Sequence, residues 1–96
     1  MKVVWTESAL TDLDGALAYT AQNYPTLVRP LELRVRAVLA RIGRWPESAR
    51  PIENEPGIRV VPLLRFPYRI FYRIEKDRVE ILHMHHASRE TTSWAE

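Results

Sequence analysis

The spacing of apolar positions changes along this chain, and each change marks an element. Val3, Val4 and Trp5 make a short apolar run that predicts a strand over Lys2–Trp5. Thr6 is placed to cap a helix, with Glu7 in the first turn, where a carboxylate suits the helix dipole. Leu10, Leu13, Leu17, Ala21 and Tyr24 then recur at three- and four-residue steps. They predict a helix with that stripe buried and Asp12, Gly15, Tyr19 and Gln22 on its far side. Pro25 disfavours helical geometry at Tyr24, so the helix is expected to stop near Asn23. Leu31, Val35, Val38 and Ile42 predict a second helix, with Gly43 as its C-terminal cap and Pro46 just beyond. Pro30 has no N–H, so this helix begins near Arg29 or has an irregular first turn. Arg34 and Arg41 flank the second stripe, and Arg29, Arg36 and Arg44 fall on the outer side.

From Trp45 to Gly57 there is no period, only charge and Pro46, Pro51 and Pro56, which reads as a loop. A strand follows over Ile58–Leu64, with Pro62 implying an edge or a bulge. Ile70, Tyr72 and Ile74 then alternate with Arg69, Phe71 and Arg73, and Val79 and Ile81 alternate with Glu80 and Leu82. This period of two predicts a hairpin across Tyr68–Arg89. With Lys76-Asp77 as a two-residue loop, Ile74 faces Val79, Tyr72 faces Ile81, Ile70 faces His83 and Tyr68 faces His85. On the other face Arg73 meets Glu80, Phe71 meets Leu82 and Arg69 meets Met84. The expected fold is therefore α+β in the order βααβββ. A helical hairpin over about residues 7–43 packs on a twisted, mainly antiparallel sheet built from about 2–5 and 58–86.

Composition adds limits. The 96 residues fit a single domain, 46% hydrophobic and 27% charged, which excludes a disordered chain. The absence of cysteine rules out disulfides and thiolate chemistry and suits a reducing cytoplasm. The amino end is too short an apolar run for a signal peptide, and no run approaches a membrane span. Net charge is only +2, but residues 29–50 hold six arginines against Glu32 and Glu47. That basic segment invites an anionic partner.

Two clusters carry candidate chemistry. His83, His85 and His86 close the last strand; His83 and His85 share a face, but no third ligand stands at the short spacing of a metal motif, so neither metal nor cofactor is expected. His83 is expected to be partly buried opposite Ile70, with His85 and His86 nearer solvent. Among Arg59, Arg65, Arg69, Arg73 and Arg89, Arg73 is expected to pair with Glu80, whereas Arg69 and Arg89 are suited to a phosphodiester.

Tyr-Arg-Ile-Phe-Tyr-Arg-Ile from Tyr68, a short polar turn, Val-Glu-Ile-Leu and then His86-x-x-Arg89 together resemble the signature end of the RelE/ParE toxins. These are the poison halves of bacterial type II toxin–antitoxin pairs, and the resemblance implies the same α+β fold. In the RelE branch, ribosome-dependent endoribonucleases of messenger RNA, it implies Arg69 and Arg89 as phosphate contacts and His85 or His86 as base. Two departures stand out: Ile58-Arg59-Val60-Val61-Pro62 replaces closely spaced lysines, and Trp94 and Ala95 stand where a tyrosine is expected. The stretches Trp5-Thr6-Glu7, Asp12-Leu13, Tyr19 and Asn23-Tyr24-Pro25 are closer to the ParE branch, which poisons DNA gyrase. The leading expectation is thus a ParE-like gyrase inhibitor. The alternatives are a RelE-like nuclease using Arg69, Arg89 and His86, or a non-toxic partner- or operator-binding module. The resemblance also implies a small, acidic antitoxin, partly disordered when free, with operator DNA reached only through that complex. Arg29, Arg36, Arg44, Arg59 and Arg65 are the expected partner-binding residues.

Overall fold

In the computed structural model, which describes residues 1–88, the chain runs β1 (Lys2–Trp5), α1 (Glu7–Asn23), a single 3₁₀ turn at Pro25–Leu27 and α2 (Val28–Arg44). It continues through β2 (Arg50–Ile52), β3 (Glu55–Pro62), β4 (Tyr68–Glu75) and β5 (Arg78–His86). The sheet order is β1-β5-β4-β3-β2, with β1 parallel to β5 and every other pair antiparallel. This is the expected α+β architecture with one strand added. β2 lies inside the stretch that reads as a loop, because three residues containing Pro51 show no alternation. It exists through pairing with the strand that follows it, Arg50 with Val60 and Pro51 with Arg59. The Arg59 guanidinium holds the segment before it, donating to the Glu47 and Ala49 carbonyls at 3.1 and 2.6 Å. With β2 beside it, β3 starts at Glu55 rather than Ile58. β2 pairs no further than Val60, so Pro62 occupies a locally open edge where its missing N–H costs nothing.

Thr6 caps α1 as expected: its hydroxyl oxygen accepts from the Ala9 N–H at 3.2 Å and donates to the Ile81 carbonyl at 2.7 Å, tying the helix start to β5. The buried stripe is rotated from the predicted one. Ala9, Ala16 and Thr20 are buried and Leu13 and Leu17 pack at the margin, while Leu10, Ala21 and Tyr24 are exposed. Small residues let this helix lie close to the sheet, so the contact face is set by Ala and Thr rather than by the largest side chains. Asp12, expected on the far side, consequently turns toward β5.

α2 buries Leu31, Val35, Val38 and Ile42 as its spacing predicts, and Pro30 is accommodated in the first turn, after the 3₁₀ turn. Gly43 is not the cap; the helix runs on to Arg44 and Trp45 is its C-cap. The glycine is needed for close approach. A Cβ there would stand 3.1 Å from Val3 Cγ2 and 3.2 Å from the Met1 carbonyl oxygen. The helices cover one sheet face over Ile70, Tyr72, Val79, Ile81 and Met84, and a smaller cluster of Ile58, Val60 and Phe71 occupies the other.

The β4–β5 register matches expectation from Glu75–Arg78 through Arg73–Glu80 to Tyr72–Ile81. It then slips by one residue, so Phe71 pairs with His83, Ile70 with Met84, Arg69 with His85 and Tyr68 with His86. Leu82 is the extra residue of a β-bulge. Lys76 and Arg65 are the two non-glycine residues with positive φ among those described, at 57° and 75°. A positive φ at the first loop position alone is the pattern of a type II′ hairpin turn.

Arg73 does pair with Glu80, at 2.9 Å, and Arg78 completes the cluster at 2.8 Å. Hydrogen bonds from Arg78 and then Arg73 hold the Glu80 carboxyl below its ordinary 4.5. A carboxyl with a lowered folded-state value contributes stability above the unfolded value and loses it as pH falls through the folded one. Glu80→Gln is expected to cost about 1 kcal/mol or less at neutral pH, because both arginines are nearly half exposed and screened. The difference should shrink below pH 4.5 and vanish in more acid, as urea melts across pH would show.

Candidate functional site

The bulge decides which side chains share the sheet face away from the helices. On that face Arg69 stands beside Phe71, its Cζ 5.8 Å from the ring centroid, and opposite His85. His85 lies 5.7 Å from the Phe71 ring and 4.8 Å from the His83 ring. Against expectation, His83 faces Phe71 rather than Ile70, and His85 is buried, only 8% exposed. His86 remains exposed.

β1 pairs with β5 only as far as Ile81, so the remainder of β5 is a sheet edge. Residues of the first helix and its cap complete that edge. The Thr6 N–H and hydroxyl both donate to the Ile81 carbonyl, and the Asp12 carboxylate accepts the Met84 N–H at 3.0 Å. The same Asp12 oxygen lies 3.4 Å from His83 Nδ1 and 3.8 Å from His85 Nε2. Asp12 is the residue that sequence reasoning missed: it sits 71 positions from His83, and no local spacing joins them.

Of the three residues expected to serve a nuclease, the two that are described, Arg69 and His86, are not gathered together. Arg69 is partly buried: its Nη2 donates to the Ala87 carbonyl at 3.1 Å, and its Nε is buried with no hydrogen-bond partner among the described residues. His86 belongs to the opposite face with Tyr68, ring to ring at 5.6 Å, and its Nδ1 lies 2.8 Å from the Ser88 hydroxyl. Arg89 lies outside the described residues, as do Trp94 and Ala95.

The expected partner-binding arginines fall into two groups. Arg29, Arg36 and Arg44 are exposed on α2, with Arg44 stacked 4.9 Å from the Trp45 ring. Arg36 borders a groove lined by Trp5, Leu13, Leu17 and Leu39 between the helices. Arg65 is exposed in the β3–β4 turn, where with Arg34 it flanks a groove floored by Leu27, Pro30, Leu33 and Phe66. Arg59 differs, since one of its terminal nitrogens already serves two backbone carbonyls. Among the described residues no helix is long and apolar enough to cross a membrane.

Comparison with known proteins accords with this architecture. The chain is 33% identical over 89 residues to Y4kP of Sinorhizobium fredii, a protein named as a toxin, spanning 93% of this chain and 91% of that one. It is 32% identical over 89 residues to toxin RelE2 of Caulobacter vibrioides, spanning 92% and 97%. In fold it is similar to a chain of the chromosomal ParDE toxin–antitoxin system of P. aeruginosa, with a TM-score of 0.67 at 20% identity over 90% of this chain and 95% of that one. It also resembles the YoeB dimer protein of Staphylococcus aureus, with a TM-score of 0.55 at 16% identity over 86% and 92%. Residues 3–91 match the family described as the ParE toxin of the type II toxin–antitoxin system parDE. A βααββββ chain whose helices and sheet carry the signature stretch in the expected place, and whose relatives span almost its whole length, belongs to the ParE toxin family of type II toxin–antitoxin systems.

Proposed function

We propose that this toxin acts in the cytoplasm by binding DNA gyrase rather than by cutting messenger RNA. One observation carries the reading: Arg69 and His86, the phosphate contact and base of a nuclease, lie on opposite faces of the sheet. A base and an electrostatic stabiliser must converge on one phosphodiester to accelerate its cleavage. These two do not, and the Arg69 guanidinium is partly committed to Ala87. The exposed apolar grooves flanked by arginines are instead suited to protein surfaces. The RelE-like alternative rests on a different pairing. His85 shares the face of Arg69 and Phe71, and one relative is named RelE2.

Supercoiling by purified gyrase, run beside cleavage of ribosome-bound messenger, separates the two readings. Loss of supercoiling without RNA cleavage is the expected result. Cleavage that slows by about 10²–10³-fold in Arg69→Ala would overturn it in favour of the nuclease. Activity in neither assay would leave the fold as a binding module. Expression alone should arrest growth, and coexpression with the antitoxin should restore it.

A further inference from the structure

We propose that Asp12, His83 and His85 form a binding site for a Zn²⁺ ion, which clamps α1 to the open edge of β5. The three candidate ligand atoms lie within 4.8 Å of one another, and two of the separations are 3.4 and 3.8 Å. Nitrogen and oxygen ligands around a tetrahedral zinc at about 2.0–2.1 Å stand about 3.3 Å apart. One pair already has that spacing, and the largest separation closes by about 1.5 Å when the ion is bound.

The surroundings suit a cation of this type. His83 and His85 alternate on one strand face, and the bulge at Leu82 turns that face away from the helices, toward the edge that Asp12 reaches. The Met84 N–H already bonds the same Asp12 Oδ2 and holds the carboxylate at the strand edge, the kind of supporting hydrogen bond that orients a ligand before the metal arrives. The side chains are 9%, 20% and 28% exposed for His85, Asp12 and His83, shielding the ligands while leaving one side for a water as fourth ligand. Two imidazoles and one carboxylate favour zinc over Mg²⁺ or Ca²⁺, which take oxygen ligands. Arg69, across the ladder from His85, opposes a cation and lowers the affinity that the triad alone would give.

The test uses the full chain without a histidine tag, titrated with Zn²⁺ by calorimetry and with Co²⁺ by visible absorption. The expected result is one bound ion per chain, a tetrahedral cobalt spectrum and a raised melting temperature on adding Zn²⁺. Asp12→Asn, which keeps an acceptor for the Met84 N–H, and His83→Gln should each weaken binding by about 10–100-fold or more and abolish the thermal shift. His83 is the more exposed histidine of the pair, so His83→Gln remains informative if a His85 variant fails to fold. No uptake by the wild-type chain, or uptake unchanged in both variants, would overturn the proposal.

Discussion

Tyr72→Ala is expected to destabilise the protein by about 3–5 kcal/mol, a large share of the roughly 5–15 kcal/mol typical of a domain. Tyr72 is fully buried at the centre of β4, opposite Ile81 in the main core, and its hydroxyl donates to the Pro46 carbonyl at 2.6 Å. Truncation therefore opens a cavity and releases the segment that leads from α2 into β2. Tyr72→Phe isolates the hydroxyl, and about 1–2 kcal/mol is expected because the Pro46 carbonyl loses its donor. Burial also raises the phenol above its ordinary 10.0, against smaller opposing effects from the backbone at Ala49 and from Arg59. An acid whose folded value is raised is neutral in the fold while already ionised in the unfolded chain. Stability must then fall as pH climbs above 10.0, and Tyr72→Phe should blunt that alkaline loss. Denaturant melts of the three proteins between pH 7 and about 11 measure both effects.

Reversing Arg36 and Arg44 to glutamate is expected to slow association with the antitoxin about 10-fold or more at low salt, with a smaller change in dissociation. Family membership implies a cognate antitoxin, and both side chains are exposed on α2. Arg36 borders one apolar groove, and Arg34 and Arg65 flank another. An acidic segment, disordered when free, would fold as its apolar residues enter those grooves and its carboxylates meet the arginines. Rim charges mostly steer encounter, whereas buried apolar anchors govern escape. The charge-reversed toxin should therefore show a flatter dependence of association rate on salt. Stopped-flow or surface kinetics at low and moderate ionic strength would read this directly. Unchanged association would mean that the antitoxin engages another surface.

How much of this was legible in the sequence depended on how local each cause was. The stripe of α2 could be read because four branched apolar residues fall on one face with arginines around them. In α1 the large residues misled: Leu10 is 45% exposed, whereas Ala9 is fully buried, since close helix–sheet packing rewards small side chains that carry little hydrophobic signal. The hairpin was legible from its alternation, but the bulge was not. Both the flush and the slipped registers set apolar residues across from apolar ones, and no glycine marks the extra position at Leu82. That single slip displaced the expected surroundings of His83 and His85 and separated Arg69 from His86. β2 pairs with the very next strand, but three residues around Pro51 are too few to show alternation. The approach of Asp12 to Met84 spans 72 positions, for which the neighbouring residues supply no pattern.

The two strands that bound the sheet bear on how the free toxin behaves when it outnumbers its partner. β1 is four residues long and β2 only three, with Pro51 in its middle unable to donate and Arg50 exposed beside it. Long, flat, apolar edges recruit further strands and seed aggregation; short ones interrupted by proline and charge give an incoming chain little to pair with. Beyond Ile81, where β5 would otherwise present a third edge, Thr6 and Asp12 already occupy backbone groups of Ile81, Leu82 and Met84. With its edges shortened and partly capped in this way, the free toxin offers a second copy little backbone to extend, and it is expected to stay dispersed rather than be lost to insoluble aggregate.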